Sequence, residues 1–203
     1  FDARKVLLHD DFSASLKMEE YAKEAYEATL ACTPRLAEDS EKEARRREIS
    51  WLNIRWFMMT LLNRMDRTSM YSGLEARVPF ADHRILQYVY NVPWEMKCHN
   101  GQTKSLLIDA GTDLLPTAVL NRKKSPYPKT YDPAYEKMLA ERLYEMVHEV
   151  NSPLTGIVDP KKLDHFLTTP NDYGKPWYGQ LMAGPQMLAY LLQVGYWIQT
   201  YSI

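Results

Sequence analysis

Glycine is scarce in this sequence, eight in 203 residues, and no run of β-branched residues is bounded by tight-turn signals. Both gaps argue against a sheet-dominated fold. Cysteine is nearly absent. Cys32 and Cys98 are far apart, and neither belongs to a CxxC pair or to a His/Cys cluster with zinc-ligand spacing, which excludes a disulfide framework and a zinc module. Reduced thiols in the cytoplasm fit this usage. No stretch approaches the ~20 apolar residues that span a bilayer, and the N-terminus lacks the basic start and apolar core of a signal peptide. Charge of one sign is also missing. Twenty-five Lys and Arg face 26 Asp and Glu, for a net charge of -1, so no global field recruits nucleic acid or an acidic membrane. The five histidines form no H-x-x-x-H pair and no Ser or Cys sits in a nucleophile elbow, so neither a metal site nor covalent catalysis is expected.

What is present is 45% hydrophobic and 25% charged residues, enough for a single helical domain over residues 1–203. The chain opens at Phe1 without an initiator Met, which reads as a piece of something longer. A first helix is expected from Leu16 to Ala31, with Ser15 as its N-cap and Leu16, Ala22, Ala25, Tyr26, Thr29 and Leu30 facing inward. Ser40 and Glu43 form a capping box for a second helix. Its opening turns, EKEARRRE, read as a solvated face whose acids and bases cancel. From Ile49 this helix turns apolar nearly all round, as if buried between others. Asn53, Thr60, Arg64 and Arg67, spaced by seven, four and three, form one polar stripe at 3.6 residues per turn. That stripe is either a thin solvent-facing edge or the lining of a polar cleft. Gly73 ends the helix and Val78-Pro79-Phe80 reads as extended. Asp82 caps the next helix, and Asn100-Gly101 marks a turn. Lys104 begins a short helix.

A second charged segment follows. NRKKSPYPKT places Arg122, Lys123, Lys124 and Lys129 where Pro126 and Pro128 forbid a regular helix. Four cations on an extended loop suit an anion such as phosphate, or are merely solvated. Asp132-Pro133 and Asp159-Pro160 are N-cap and N1 pairs that start helices ending near Val150 and Leu167. Thr169 to Lys175 reads as a mobile loop. Gln186 to Tyr201 is an apolar and aromatic helix, its aromatics core or docking face.

Taken together, NRMDRTSMYSGLEARVPFADHRI, then Lys104 with LLI, then LLPTAVLNRKKSPYPK, resemble the synthetase domain of glutamine-dependent asparagine synthetases in order and spacing. The tail YGQLMAGPQMLAYLLQVGYWIQTY looks like the C-terminal end of the same enzymes in a subset of bacteria. The resemblance implies a mainly α fold: the helical C-terminal portion of an α/β PP-loop ATP pyrophosphatase-type domain, lacking the nucleotide-binding parallel sheet. The SGG-x-D-S pyrophosphate loop and the N-terminal Cys nucleophile of that family are not in this sequence. The resemblance further implies that the parent enzyme uses ATP and Mg²⁺ to adenylate the aspartate side chain, which ammonia from glutamine then attacks. No cofactor is expected to bind this chain tightly, and alone it is expected to be inactive.

Carried over residue by residue, Lys124 takes the place of the family lysine that contacts the phosphates and stabilises charge as pyrophosphate leaves. Lys123 and Arg122 are supporting cations for ATP. Arg64 matches an arginine that holds the aspartate substrate, and guanidinium suits a bidentate clamp on carboxylate. Arg67 and Asp66 match the pocket-lining part of that motif, Asp66 being alternatively a structural partner of an arginine. Glu75, Arg77 and Asp82 read as a structural charge network, and Lys104 as a first-turn surface lysine that also fits the family. Two alternatives stand beside this reading: a related adenylating ligase of the β-lactam synthetase type, and a non-enzymatic helical interaction module. Without the nucleotide-binding half, apolar surface is expected to be exposed between Ile49 and Met65 and at the chain's end, where a second copy could dock as a homo-oligomer.

Overall fold

The computed structural model describes residues 5–123, 132–169 and 184–203. Among them the chain is mainly α-helical and holds no strand. In order, the helices are α1 (Asp10–Ser15), α2 (Met18–Ala31), α3 (Glu41–Leu52), α4 (Met59–Tyr71), α5 (His83–Asn91), α6 (Trp94–Lys97), α7 (Ser105–Gly111), α8 (Thr117–Leu120), α9 (Pro133–His148), α10 (Pro160–Thr168) and α11 (Gly184–Tyr201). No helix among the described residues is long and apolar enough to cross a membrane.

Most predicted helix starts are real. The Asp82 carboxylate accepts from the Arg84 N–H at 2.8 Å, Asp132 from Ala134 at 2.9 Å, and Asp159 from Lys161 at 2.9 Å. Ser40 supplies half of its box, its Oγ accepting from the Glu43 N–H, while the Glu43 carboxylate turns to Arg46 instead. Gly73 closes α4 at φ +72° in a Schellman arrangement, with Leu74 N bonding Ser69 O and Gly73 N bonding Met70 O. Two expectations fail. Ser15 ends α1 rather than capping α2: its Oγ bonds back to the Phe12 carbonyl, and Lys17 at φ +44° separates the two helices, leaving Leu16 and Tyr26 turned outward. Pro79–Ala81 forms a 3₁₀ turn, so only Val78 is extended.

The chain divides into two compact units, one of Phe1–Ala22 with Ser125–Ile203 and the other of Lys23–Lys124, taken over their described residues. In the first, α9 contributes Leu139, Leu143, Met146 and Val147 from one face, which pack with Leu163 and Phe166 of α10 and with the Met187, Leu188, Leu191 and Leu192 stripe of α11. Gly195 permits the close approach of α9 and α11, since a Cβ there would run into the Met146 sulfur. Leu7 and Leu8 complete this core through an antiparallel bridge from Leu8 to Val158. The Lys162 ammonium fastens the same segment, donating to Leu8 O at 2.8 Å and to Asp10 at 2.6 Å.

In the second unit, α3 and α4 form one continuous helix interrupted by a π-helical segment, Asn53–Met58. The indole N–H groups of Trp51 and Trp56 donate to the Thr29 carbonyl and hydroxyl, both at 3.1 Å, which pins this helix to α2. The helix is not buried between others. Trp56, Phe57, Met59 and Leu61 are all exposed, Phe57 at 63%. The chain's end shows the same pattern, with Tyr190, Tyr196, Trp197 and Tyr201 exposed. Its aromatics therefore lie outside the core that the leucines of α11 build.

Candidate functional site

The π segment changes the polar stripe. A wider turn inserts an extra residue relative to 3.6-residue spacing, which moves Asn53 out of line with the residues below it; its side chain bonds back to the Ile49 carbonyl. Thr60, Arg64 and Arg67 lie within the regular α4 and keep their common face. Asp66 does not share it, because each helical residue turns about 100° from the last. All four side chains are exposed, and Arg64, Asp66 and Arg67 have no ion-pair partner among the described residues. A guanidinium pair one turn apart on an open helix face, free of structural carboxylates, retains its full capacity for an incoming carboxylate.

Arg122 and Lys123 follow α8 and are also exposed. No hydrogen bond or ion pair joins them to Arg64 or Arg67 among the described residues. Lys124, with the rest of the basic loop through Thr130, lies outside the described residues, as does the segment after Thr169.

The expected Glu75, Arg77 and Asp82 network is instead two local pairs. Arg77 meets Glu75 at 3.1 Å with both side chains largely in water. Asp82 takes Arg84 through both of its oxygens, at 3.0 and 2.7 Å. That guanidinium, with the Arg84 backbone N–H, lowers the Asp82 carboxyl to about 2. Lys104 precedes α7 in a left-handed conformation, φ +61°, rather than sitting in its first turn, beside a buried Ser105 whose hydroxyl donates to Met96 O and accepts from the His99 N–H.

Sequence reasoning missed a second charged cluster. EKEARRRE is not simply a solvated face. Arg46 is held by Glu43 and Glu95 at 2.6 and 3.1 Å and lies over the Trp94 ring, while Arg47 pairs with Asp39 at 2.7 Å and lies over Tyr90. The partners stand more than 40 residues away in several of these contacts, a relation that local spacing does not record. These residues line a cavity of about 230 Å³. No group of three or more His, Cys, Asp or Glu that could hold a metal ion occurs among the described residues.

Among the described residues the chain is thus mainly helical, with Arg64 and Arg67 exposed on one face of α4. The family model of asparagine synthase matches residues 1–199, and the chain belongs to that family. It is 45% identical over 203 residues, its full length and 33% of the relative, to asparagine synthetase [glutamine-hydrolyzing] 3 of Bacillus subtilis. Shorter stretches match asparagine synthetase [glutamine-hydrolyzing] 1 of the same organism, 40% over 73 residues, covering 36% of this chain and 12% of the relative. The human asparagine synthetase [glutamine-hydrolyzing] is 43% identical over 67 residues, 32% of this chain and 12% of the relative. The chain thus spans a third or less of the length of these curated relatives.

Proposed function

We propose that the chain is a C-terminal helical portion of a cytoplasmic, glutamine-hydrolysing asparagine synthetase, in which both compact units belong to one synthetase domain. Whole-chain similarity to a synthetase carries this reading, and the unpaired arginines of α4 supply its chemistry. In the intact enzyme Arg64, assisted by Arg67, holds the α-carboxylate of aspartate in a bidentate bond. The aspartate side-chain carboxylate attacks the α-phosphorus of ATP, a new P–O bond forms, and pyrophosphate leaves from the same phosphorus. Lys124 has the role of neutralising the growing charge of the departing phosphates, with Lys123 and Arg122 as supporting cations. Ammonia from glutamine then attacks the acyl carbon of the aspartyl adenylate, expelling AMP and losing a proton to give asparagine. Mg²⁺ accompanies the ATP phosphates and neutralises part of their charge. Asp66, off the arginine face, contributes to the lining of the same substrate pocket.

Two measurements test this. The isolated 203-residue chain is expected to show no aspartate-dependent exchange of ATP with pyrophosphate, because the backbone that cradles phosphate comes from elsewhere; clear exchange would refute the reading. In the intact enzyme Lys124→Ala is expected to lower synthetase turnover ~10²–10³-fold while glutaminase activity persists. Loss of both activities in parallel would instead indicate a folding defect.

A further inference from the structure

The cavity of about 230 Å³ in the Lys23–Lys124 unit includes none of Arg64, Asp66, Arg67, Arg122 or Lys123 in its lining, and its charges are unevenly matched. Arg46 has two carboxylates, Glu43 and Glu95. Arg47 has one, Asp39, and this pair is nearly buried, with 12% and 8% of the side chains exposed. Lys97 also lines the cavity, is half-buried, and has no carboxylate partner among the described residues. Its ammonium donates to the Tyr90 carbonyl at 3.3 Å, the same oxygen that Arg47 Nη1 reaches at 3.4 Å. Two cationic heads therefore converge on one neutral acceptor. A half-buried ammonium with a single hydrogen bond keeps two unused N–H donors, and in a poorly solvated place those donors favour an anion strongly.

We infer that the cavity binds a small oxyanion, carboxylate or phosphate, between the Lys97 ammonium and the Arg47 guanidinium. Its volume is below the ~300–1,000 Å³ of pockets for drug-sized ligands, which suits a small anion and leaves no room for a nucleotide. The wall is set in advance. The Tyr90 hydroxyl lies 3.1 and 3.3 Å from the carbonyls of Pro34 and Arg47, and Arg46 is stacked on Trp94, so little ordering remains to oppose binding. Burial, and then the adjacent Arg47, hold Lys97 below the usual lysine range although the Glu43 carboxylate across the cavity pulls the other way, a condition a bound counter-ion at the ammonium relieves further.

The test is titration of the 203-residue chain and its variants with inorganic phosphate and, separately, with acetate, reading affinity from the backbone amide resonances of the cavity residues and, in the unmutated chain, following the Lys97 side-chain resonance and its pKa by NMR. Expected is a saturable shift of that resonance with an upward move of the pKa, binding at least tenfold weaker in Lys97→Met, and recovery in Lys97→Arg. A response to phosphate alone assigns the site to phosphate, and a response to acetate assigns it to carboxylates. Absence of a saturable shift with either ion, or unchanged affinity in Lys97→Met, overturns the inference.

Discussion

The Phe1–Ala22 with Ser125–Ile203 unit and the Lys23–Lys124 unit are built from equally regular helices, yet they keep their apolar residues in opposite places. Among the described residues every buried hydrophobic side chain that forms the core belongs to the first, on α9, α10, α11, the connection that carries Leu154 and Val158, and the segment around Leu7. In the second, burial among the described residues reaches only Thr33, Ser105 and Gly111, while Trp56, Phe57, Met70, Tyr71, Phe80 and Tyr88 are exposed. Polar fastenings do more of the work there: indole bonds to Thr29, arginines across Trp94 and Tyr90, and the Ser105 hydroxyl between two loops. Regular helices are thus not evidence of a finished core. Large side chains on consecutive turns of the second unit stay exposed, and under the proposed reading this is the face that the rest of the enzyme covers.

The comparison breaks or holds first on truncation. Leu143→Ala empties a fully enclosed position of α9 and is expected to cost ~2–5 kcal/mol, read from urea unfolding of the 203-residue chain. Phe57→Ala, at an exposed position, is expected to stay within ~0.5 kcal/mol. Equal costs would dissolve the distinction. In the intact enzyme, where the proposed reading covers this face, the cost of Phe57→Ala should rise to ~3–5 kcal/mol.

Glycine gives a finer contrast. Gly195→Val forces a branched side chain into Met146 and Leu154 and is expected to cost ~1–3 kcal/mol through overpacking. Gly73→Ala meets open space and only the strain of its left-handed backbone, φ +72°, for a cost of about 1 kcal/mol. Thermal melts of the two variants separate packing from backbone strain.

Helix class and most boundaries were legible because caps and breakers act within a few residues: Asp82, Asp132, Asp159 and Gly73 each do what their local chemistry dictates. The π segment was not, since it changes the very period from which the Asn53 to Arg67 stripe was read. Nor were the roles of Arg46 and Arg47, whose partners Glu95 and Tyr90 arrive through the tertiary fold. For the candidate site, the spacing already put Arg64 and Arg67 on one stripe and the resemblance singled them out; the structure adds that both are exposed and without an ion-pair partner among the described residues. The charges of EKEARRRE, three acids against four bases, largely cancel either way, so composition cannot distinguish a solvated turn from a cavity wall.

The smallest expected effect concerns pH. In the Lys23–Lys124 unit, Asp82 is bonded by the Arg84 side chain and then by its backbone N–H, and its carboxyl falls from an ordinary 3.8 to about 2. A group whose pKa is depressed on folding stabilises the folded state above its unfolded pKa. That contribution is complete above about pH 4 and fades as pH falls through about 2. Asp10 in the other unit is lowered in the same direction, first by its hydrogen bond from Lys162, so the wild-type chain alone cannot assign an acid transition. Asp82→Asn can, because asparagine also caps helices well and the substitution removes the charge while preserving the cap. The difference in melting temperature between wild type and Asp82→Asn should be constant from pH 7 to 5, shrink between about pH 4 and 2, and fall further with added salt, as exposed pairs do. A difference independent of pH would mean that Asp82 acts through cap geometry and not through its charge.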